Sequence, residues 1–505
     1  MQFQNLARTR KGSRRNLLMD RANIILIMTD QMRGDCLGAD GNPHIETPNL
    51  DFLATQGTRF RHAYTACPSC IPTRATIMTG MNQWHTGILG MGAGQGPIPN
   101  DFPHTLAGEL ASAGYQTHLV GKGHFTPQRA EMGFETHELD ESGRMFANGL
   151  KDEYRTWFDQ EKKMDLTPDD HGVDWNSWVS RPWHTEEYLH PTAWTMNRSI
   201  HFISQRDRSR PFFLNISFAR PHSPFVPPEH YFNMYYHSEL PSPSVADWAD
   251  RHDRPQDAAN PNAWRGKKSK RQIHRARSGY YGSISFIDTQ IGRLMNWLNR
   301  HQRDASANTW FIFTSDHGEM LGDHHLWRKT YAYEGSARVP FIVTPSRNAA
   351  QAECKVADQV VELRDIMPTI LDIADLEIPK TVDGKSVLPL LHREADESWR
   401  NYIHGEHCAC YSQEQEMQYV TNGKRKLVWL PRIDEMQFFD LDADPGECHN
   451  LIDDPSYQGE VSEWQRYLIA ELEARDCGWV EDGKLISPPP ADPLVSPYKN
   501  VRYQG

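Results

Sequence analysis

The chain has 505 residues, of which 24% are charged, and its 66 acidic side chains outnumber 54 basic ones to give a formal net charge of −12. This balance argues against a nucleic-acid binder, because such proteins need basic surface to contact phosphates. The length exceeds what a single core usually supports, so we expect one large domain and a smaller one. No apolar run reaches the length that crosses a membrane. Eight cysteines in so long a chain do not form a disulfide framework, which favours a reducing, cytoplasmic location.

Residues 1–19 are predicted to be a basic, disordered extension. The segment Ser13-Arg14-Arg15 faintly resembles a twin-arginine export signal, and such a signal needs an apolar stretch after it. The apolar stretch that follows here, residues 23–29, is typical of a buried strand of the folded protein. Cleavage after it would remove part of the core, so we predict no export signal.

Four apolar segments predict buried strands of a mostly parallel sheet, at residues 23–29, 117–124, 212–218 and 310–315. Each leads into polar residues. Because ligands of open α/β sheets bind at the carboxyl ends of the strands, these polar residues are expected to share one site. They are Asp30, Gln31, Lys122, His124, His222, Asp316 and His317.

Helices are predicted over residues 48–57, 101–114, 280–300 and 365–375, from apolar spacing and from terminal proline and glycine. Residues 126–200 show no clear period and are predicted to be long loops and short helices. The fold class is therefore α/β, with a large mixed, mostly parallel sheet sandwiched by helices over residues 20–395.

A second domain is predicted over residues 396–505. A hairpin about Asn422-Gly423, a strand at Phe438 and an amphipathic helix over 461–475 indicate a small α+β domain with an antiparallel sheet. The proline-rich tail after Ser487 is predicted to be a wrapping arm.

The segment Cys70-Ile71-Pro72-Thr73-Arg74 predicts a loop that opens into a helix, since proline is tolerated in a first turn. Cys70 would then lie near a helix N-terminus, where unpaired N–H groups lower a thiol pKa. Arg74, four residues on, would return to the same face. Two alternatives remain at this point. Cys70 could be a buried apolar residue, or Cys67 and Cys70 could form a C-x-x-C redox pair.

Two strand ends supply a candidate divalent-metal shell of Asp30, Gln31, Asp316 and His317. The oxygen ligands suit Ca²⁺ or Mg²⁺, and the histidine favours Mn²⁺ or another transition ion. The basic residues Arg74, Lys122, His124, His222 and Lys329 would surround it and could stabilise a dianion-like transition state.

Together these segments resemble the sulfatases of the alkaline-phosphatase-like superfamily. The matching pieces are Asp30-Gln31, Thr47–Asp51, Cys70–Arg74 with Thr79-Gly80, Gly121–His124, Pro221-His222, Ser315–Gly318, Gly322–Lys329, Arg338–Pro340 and Phe439–Asn450. They follow one another in the order of the family from about residue 23 to about residue 451.

The resemblance implies an alkaline-phosphatase-like fold and a sulfuric ester hydrolase of the arylsulfatase kind. It implies that a formylglycine-generating maturation enzyme oxidises Cys70 to formylglycine. The hydrate of this aldehyde would be a ligand of one divalent metal ion, which the resemblance implies is Ca²⁺, with Mn²⁺ or Mg²⁺ as alternatives. One hydroxyl of that hydrate, assisted by Arg74, would attack sulfur.

The remaining roles are also carried over from the resemblance. His222 would protonate the leaving alcohol, Lys122 and Lys329 would hold the sulfate oxygens, and His124 would accept the proton whose loss releases sulfate. In the second domain, Glu406 or His407 is expected to contact the leaving group.

The pairs Asp30-Gln31 and Asp316-His317 depart from the commonest sulfatase pattern and resemble choline sulfatases and phosphonate monoester hydrolases. The expected substrate is a carbohydrate or aryl sulfate. The alternatives are a phosphonate monoester or phosphodiester, choline sulfate, or, in a different class, an unmatured anion-binding protein without catalysis. The partners expected are a sulfated small molecule or saccharide and the maturation enzyme, with an oligomer possible and with no nucleic acid and no membrane.

Overall fold

The computed structural model describes residues 21–91, 95, 98–142, 151–393, 399–475 and 478–487. The predicted extension at residues 1–19 and the predicted arm after Ser487 lie outside the described residues. Residues 394–398, where we place the domain boundary, lie outside them as well, so that boundary stays a prediction.

The larger domain is built on an eight-stranded mixed sheet with the strand order β5-β4-β6-β1-β7-β8-β2-β9. The first five strands in this order are parallel, and β8 is antiparallel to both of its neighbours. The strands are β1 Asn23–Asp30, β2 Thr58–Phe60, β4 Gln116–Gly121, β5 Thr136–Leu139, β6 Phe212–Pro221, β7 Thr309–Ser315, β8 Phe341–Thr344 and β9 Val356–Ala357. A separate pair is formed by β3 Ala63–Tyr64 and β10 Val361–Glu362.

Strand β1 shows why this sheet needs helices on both faces. All eight of its residues are buried, and their side chains alternate between two apolar cores. Ile25 and Ile27 belong to one core, whereas Ile24 and Leu26 belong to the other. A strand that is apolar on both faces is stable only when both faces are covered, as in α/β proteins.

Helices cover both faces. On the Ile25 side, the 32-residue helix Lys270–His301 begins with a capping box at Ser269 and Gln272, which pairs the backbone N–H groups that a helix N-terminus leaves unbonded. The helices are Pro48–Gln56, Cys70–Thr79, Gln83–Thr86, Leu106–Ser112, Glu153–Glu161, Pro191–Gln205, Glu229–Tyr236, Pro255–Ala258, Lys270–His301, Arg303–Ala307, Glu334–Ala337, Ile366–Ile373, Leu388–Leu391 and Gln458–Glu473.

Three of the predicted elements differ from the structure. The helix predicted over 101–114 is shorter, because Thr105 caps its first turn and accepts a hydrogen bond from Gly108 N. The strand predicted over 117–124 ends at Gly121. The segment 126–200, predicted to be long loops and short helices, ends inside the 15-residue helix Pro191–Gln205, whose buried face packs on the sheet.

The smaller domain confirms the predicted antiparallel sheet. Its strands are β11 Ile403–His407, β12 Met417–Thr421, β13 Arg425–Leu430 and β14 Glu435–Asp440, in that spatial order. One face packs on the helix Gln458–Glu473, and the other packs against aromatic residues of the larger domain. The hairpin β12–β13 turns at the predicted Asn422-Gly423. A small hairpin, β15 Val480–Glu481 and β16 Lys484–Leu485, follows.

Lys426 on β13 joins the two domains. Its side chain is fully buried, and Nζ donates to Glu334 Oε1 at 2.7 Å, Glu447 Oε1 at 2.8 Å and the Ala332 carbonyl oxygen at 2.9 Å. Within the described residues, no helix is both long and apolar enough to cross a membrane.

Candidate active site

Four neighbouring strands deliver polar residues to one edge of the large sheet. Strand β1 ends in Asp30, β7 is followed by Asp316 and His317, and β6 leads into the loop that carries His222. Because β4, β6, β1 and β7 are parallel neighbours, their carboxyl ends meet.

Gly121 allows β4 to reach this edge. Its φ is +101°, and a Cβ atom on it would lie 2.0 Å from the Ser217 carbonyl oxygen of β6. Only glycine tolerates both the left-handed backbone and the close approach. The next residue, Lys122, then enters the site, where its side chain is completely buried.

Cys70 is the first residue of the helix Cys70–Thr79 and is 1% exposed. Its Sγ lies 3.1 Å from His317 Nε2, 3.5 Å from Asp30 Oδ1 and 3.6 Å from Lys122 Nζ. The sulfur marks the position from which the oxygens of a formylglycine hydrate would reach the same neighbours. Cys67 and Cys70 are both buried free thiols.

The expectation of a lowered thiol pKa at Cys70 is wrong. Burial and the adjacent Asp30 carboxylate raise its pKa to about 11, against the opposing effect of Lys122. The helix N-terminus does not compensate for the loss of water. Cys70 is therefore a neutral thiol here and is poorly suited to act as a thiolate nucleophile.

Arg74 lies beneath Cys70 and is held rigidly. Its Nε donates to Asp316 Oδ2 at 2.9 Å, and its Nη1 donates to the Lys122 carbonyl oxygen at 2.6 Å and to Ser217 Oγ at 2.8 Å. Its Nη2 is buried and has no hydrogen-bond partner among the described residues. A buried donor of this kind is costly unless a ligand uses it.

Asp30, Cys70, Asp316 and His317 form a group whose potential ligand atoms all lie within 4.8 Å of one another. The geometry of His317 fits a metal ligand. Its Nδ1 donates to the Gly318 carbonyl oxygen at 2.9 Å, so the lone pair of Nε2 points toward the other three residues. Burial lowers the pKa of His317, which keeps its ring neutral and able to coordinate a cation.

Asp30 is an ionised carboxylate of this group. Burial alone would raise its pKa, but the nearby Lys122 ammonium holds that pKa well below its usual value. Lys122 Nζ also donates directly to Asp30 Oδ2. A buried carboxylate that stays ionised beside other ligand atoms suits a divalent cation.

Gln31 is held between Glu319 and Lys329. Its Nε2 donates to Glu319 Oε2, and its Oε1 accepts from Lys329 Nζ at 2.7 Å. A carboxylate only accepts hydrogen bonds, so Glu319 fixes the orientation of the amide and turns its oxygen toward the site. Glu319 is itself anchored by the backbone N–H groups of Leu321 at 2.9 Å and Arg328 at 2.5 Å.

His222 is held on two sides. Its Nδ1 donates to the Ser223 carbonyl oxygen and its Nε2 faces Lys329 Nζ, each at 2.7 Å. The indole of Trp175 stacks on the imidazole, with ring centroids 4.4 Å apart. Burial and the Lys329 ammonium hold the pKa of His222 well below its usual value.

His124 lies beyond the end of β4 with a φ of +54°. Its backbone N–H donates to Glu141 Oε1 at 2.8 Å, beside that of Gly123 at 2.9 Å. The other basic residues meet around Cys70, whereas the role assigned to the His124 ring remains a prediction.

Comparison with known proteins identifies the family. The sulfatase family model matches residues 22–376, which is more than half of the chain. The chain belongs to the sulfatase family. A second model, described as the N-sulphoglucosamine sulphohydrolase C-terminal domain, matches residues 322–474 of this sulfatase.

Relatives cover nearly the whole sulfatase chain. An arylsulfatase of Clostridium perfringens is 44% identical over 95% of this chain and 99% of its own length. A choline-sulfatase of Rhizobium meliloti is 29% identical over 90% of this chain and 86% of its own. The crystal structure of a phosphonate monoester hydrolase of Agrobacterium radiobacter superposes with a TM-score of 0.75, at 24% identity, over 93% of this chain and 100% of its own. The predicted fold class and family are confirmed.

The two residues of the second domain that we expected near the leaving group, Glu406 and His407, have partners within the sulfatase chain. Glu406 accepts from Arg475 Nη1 at 2.7 Å and from Gln83 Nε2 at 3.1 Å. The imidazole of His407 bonds through Nε2 to Ser69 Oγ at 2.8 Å, one residue before Cys70. His407 therefore reaches the edge of the site, whereas Glu406 is held in an ion pair. Their contact with substrate remains a prediction.

Sequence reasoning missed three residues of the site: Glu319, Trp175 and Ser217. Glu319 directly follows the segment Ser315–Gly318, which the sequence analysis had already assigned to the site, so Glu319 could have been found. Trp175 stands in a tryptophan-rich segment without period, and Ser217 is one polar residue inside a buried strand. Neither of these two carries a signal in the sequence.

Proposed function

We propose that this sulfatase hydrolyses carbohydrate or aryl sulfate esters at Cys70 after conversion of that residue to formylglycine. The observation that carries the proposal is the position of Cys70 Sγ, within 3.6 Å of Asp30, Lys122 and His317. A carboxylate, an ammonium group and a metal-type imidazole converge there on one side-chain atom at a helix start.

Asp30, Gln31, Asp316 and His317 would hold one divalent metal ion together with the modified Cys70. The ion, when bound, would act as a Lewis acid toward the sulfate and the hydrated aldehyde. The imidazole nitrogen among the oxygen ligands favours Mn²⁺, whereas Ca²⁺ is what the family resemblance implies. Metal analysis of the purified protein by plasma mass spectrometry distinguishes the two ions.

Arg74 and the two lysines perform the electrostatic part of the reaction. Arg74 is fixed by Asp316, and its Nη2, which has no hydrogen-bond partner among the described residues, would be available to an oxygen of the modified side chain. Lys122 and Lys329 would bind the nonbridging oxygens of the sulfate and stabilise the negative charge that these carry in the transition state. The charge that develops on the leaving oxygen as the ester bond breaks would be neutralised by proton transfer. Because these groups are already held in place, little reorganisation is needed at the moment of reaction.

His222 would donate the proton to the leaving alcohol. Before substrate binds, burial and Lys329 keep its pKa low. A bound sulfate offsets the charge of Lys329 and favours the protonated ring. Its Nδ1–H bond to Ser223 holds the ring in place and leaves Nε2, which faces Lys329 Nζ, as the nitrogen that would carry the transferred proton. His124 would accept the proton whose loss releases sulfate.

Two associated proposals concern the cell. We propose that a formylglycine-generating enzyme acts on Cys70 and that the protein resides in the cytoplasm. Eight cysteines in so long a chain do not make a disulfide framework, which favours a reducing compartment.

Mass spectrometry of the peptide that spans Cys70 tests the proposal. Oxidation of the cysteine to the aldehyde removes about 18 Da, and we expect this loss in protein from the native host. Cys70→Ala should abolish hydrolysis of 4-nitrophenyl sulfate while the protein still folds. A fully unmodified Cys70 in the native host would support the non-catalytic anion-binding alternative instead.

A second candidate function is hydrolysis of phosphonate monoesters or phosphodiesters. It is favoured by the pairs Asp30-Gln31 and Asp316-His317 and by the likeness to the phosphonate monoester hydrolase fold. Rates of the matured enzyme on 4-nitrophenyl sulfate and on phenyl phosphonate monoesters decide between the two. We expect the sulfate to be preferred, and a strong preference for the phosphonate would establish the second candidate.

A further inference from the structure

The helix Cys70–Thr79, called the catalytic helix below, is held at its start by the smaller domain. The segment Thr65–Ser69 leads directly into this helix. Two backbone carbonyl oxygens of the segment accept from Tyr419 Oη and from the Glu406 backbone N–H, each at 2.8 Å. The accepting oxygens are those of Thr65 and Ala66. The approach to the catalytic helix is therefore fixed to the antiparallel sheet of the other domain.

His407 makes the contact of the smaller domain that lies nearest to Cys70 in the chain. Its Nε2 lies 2.8 Å from Ser69 Oγ, and its Nδ1 lies 2.6 Å from the Cys408 carbonyl oxygen. Because a carbonyl oxygen only accepts, Nδ1 carries the proton and Nε2 accepts from the Ser69 hydroxyl. Burial lowers the pKa of His407 to about 4, so the ring stays neutral and keeps this lone pair. Both side chains are buried, so water does not compete for the bond.

Ser69 occupies the N-cap position of the catalytic helix, but its hydroxyl does not cap that helix. A serine in this position usually accepts from the backbone N–H of the second or third helical residue. The third residue here is Pro72, which has no N–H group. The hydroxyl donates to His407 instead. The start of the catalytic helix is thus anchored to another domain and not by its own cap.

The surroundings of His407 leave its ring little freedom. Both ring nitrogens are used by the bonds to Ser69 and Cys408. Gly90 packs closely against the ring, since a Cβ atom on that glycine would lie 2.9 Å from His407 Cε1. No ring nitrogen is left for a substrate, so His407 can influence the reaction only through Ser69.

We propose that His407 is a positioning residue for the sulfatase reaction. By holding the Ser69 hydroxyl, it fixes the first turn of the catalytic helix and with it the direction of the modified Cys70 side chain. The smaller domain thereby takes part in catalysis without touching the reacting atoms. This inference rests on the proposed function of Cys70, and it assigns His407 a contact with the catalytic helix in place of the expected contact with the leaving group.

A double-variant cycle tests the inference. Ser69→Ala removes the donor and His407→Leu removes the acceptor. Each should lower kcat for 4-nitrophenyl sulfate roughly ten- to hundred-fold, because a small displacement of the reacting group slows the chemical step. KM should change little, since the lysines proposed to bind the sulfate are untouched. The double variant should be no slower than the slower single variant, because either substitution alone already breaks the bond.

The rates must be compared per matured chain. The matured fraction is measured by mass spectrometry of the peptide that spans Cys70, so that a variant which is a poorer substrate for maturation is not mistaken for a slower enzyme. His407→Gln should recover most of the lost kcat, because its side-chain oxygen can accept from Ser69 in place of Nε2.

His404→Leu is the matched control. His404 is also buried on β11, but its partners are Gln418 and Arg475 and not the segment Thr65–Ser69. Its substitution should leave kcat per matured chain unchanged, even where it lowers stability. If His407→Leu does not fold, Ser69→Ala and His407→Gln carry the comparison with this control.

Amide hydrogen exchange supplies a readout that does not depend on turnover. In unmatured protein, the peptide 65–78 should exchange faster in Ser69→Ala and His407→Leu, because the first turn of the helix opens more easily once its anchor is lost. Exchange of this peptide should be unchanged in His404→Leu.

The outcomes separate the inference from the proposed function. Losses in kcat that do not add, together with faster exchange of the peptide 65–78, support it. Losses that add in the double variant, or a His407→Leu effect confined to KM, would indicate direct contact with substrate and overturn it, as would unchanged kcat and exchange. If matured, unchanged enzyme hydrolyses no sulfate ester, the proposed function fails, and hydrogen exchange still decides whether His407 holds the catalytic helix.

Discussion

Glu319 acts on the proposed metal site through Gln31. The Gln31 amide can present either oxygen or nitrogen to a cation, and only the oxygen is a ligand. Glu319 accepts from the amide nitrogen and is anchored by two backbone N–H groups, so it selects the orientation with the oxygen toward the site. It is a positioning residue, since it contacts no reacting atom.

Glu319→Gln is therefore expected to weaken metal binding. The amide of the new glutamine has a single accepting oxygen. It cannot accept both from the Gln31 amide nitrogen and from the backbone N–H groups, so Gln31 loses its fixed orientation. Loss of such an outer partner costs roughly ten- to hundred-fold in metal affinity. The measurement is the dissociation constant of Mn²⁺ or Ca²⁺ by competition with a chelator, which does not depend on turnover.

Asp288→Asn is the matched control for the Glu319 variant. Asp288 is also a buried carboxylate that accepts from backbone N–H groups, at Asn49 and Leu50, but it lies outside the metal group. Its substitution should leave metal affinity unchanged. Unaltered metal affinity in Glu319→Gln would refute the positioning role.

At the residue scale, the sequence located the proposed ligands better than the residues that support them. Asp30, Asp316 and His317 directly follow apolar strands, and their common edge could be inferred from parallel pairing. The raised pKa of Cys70 could not be inferred, because the helix start was visible in the sequence but the burial and the contact with Asp30 were not. Trp175 approaches His222 from a distant part of the chain without any local pattern.

Strand β13 ties the smaller domain to the catalytic one through Lys426. Its ammonium group is buried with two carboxylates, Glu334 from the larger domain and Glu447 from the segment after β14. Removing one partner of a buried ion pair leaves uncompensated charge, which usually costs about 3–5 kcal/mol. Lys426→Met should lower the free energy of unfolding by about that amount, measured by urea denaturation.

The double variant Lys426→Met with Glu334→Gln checks the cause of this loss. Burial raises the pKa of Glu447 to about 7, whereas Lys426 and Arg338 hold the pKa of Glu334 below its usual value against the effect of burial. The second substitution therefore removes the stranded charge, so the double variant should be more stable than Lys426→Met alone, and resistance of the C-terminal sheet to proteolysis should recover in parallel. If the second substitution adds its own loss instead, the stability of this contact comes from packing and not from charge.

At the element scale, elements with a clear apolar period were predicted and elements without one were not. The helix Lys270–His301 has a regular apolar stripe and was found over most of its length, as was the hairpin at Asn422-Gly423. The helix Pro191–Gln205 is flanked by polar, tryptophan-rich sequence and was missed. Strand β4 was predicted to extend to residue 124, but it ends at Gly121. The local sequence did not show that the backbone turns at Gly121 and approaches Ser217 of β6 closely.

The whole molecule buries several neutral histidines, and this predicts its response to acid. Burial lowers the pKa of His252 and His404 to about 3 and that of His171, His324 and His407 to about 4. In the unfolded chain these histidines bind protons near pH 6.5. Their contribution to the free energy of unfolding is therefore fully present above that pH and is lost as the pH falls toward 4. Each histidine contributes up to about 1.4 kcal/mol per pH unit in this range.

Thermal unfolding of the intact protein should therefore shift to lower temperature between pH 7 and pH 5. His252→Gln should make this dependence shallower, whereas His44→Gln, at an exposed position, should leave it unchanged. Calorimetric scans at half-unit steps of pH measure the slope. An unfolding temperature that stays constant from pH 7 to pH 5 would contradict the prediction.

The burial of Cys70 also sets an order of events in the life of the chain. In the folded protein its side chain is 1% exposed, lies at the start of a buried helix and is covered by the sheet edge. An enzyme that oxidised this thiol would have to reach the buried side chain itself. Under the maturation proposed above, oxidation would therefore precede folding, and each molecule would receive a single opportunity during synthesis. A chain that folded first would keep its thiol, however abundant the proposed maturation enzyme later became.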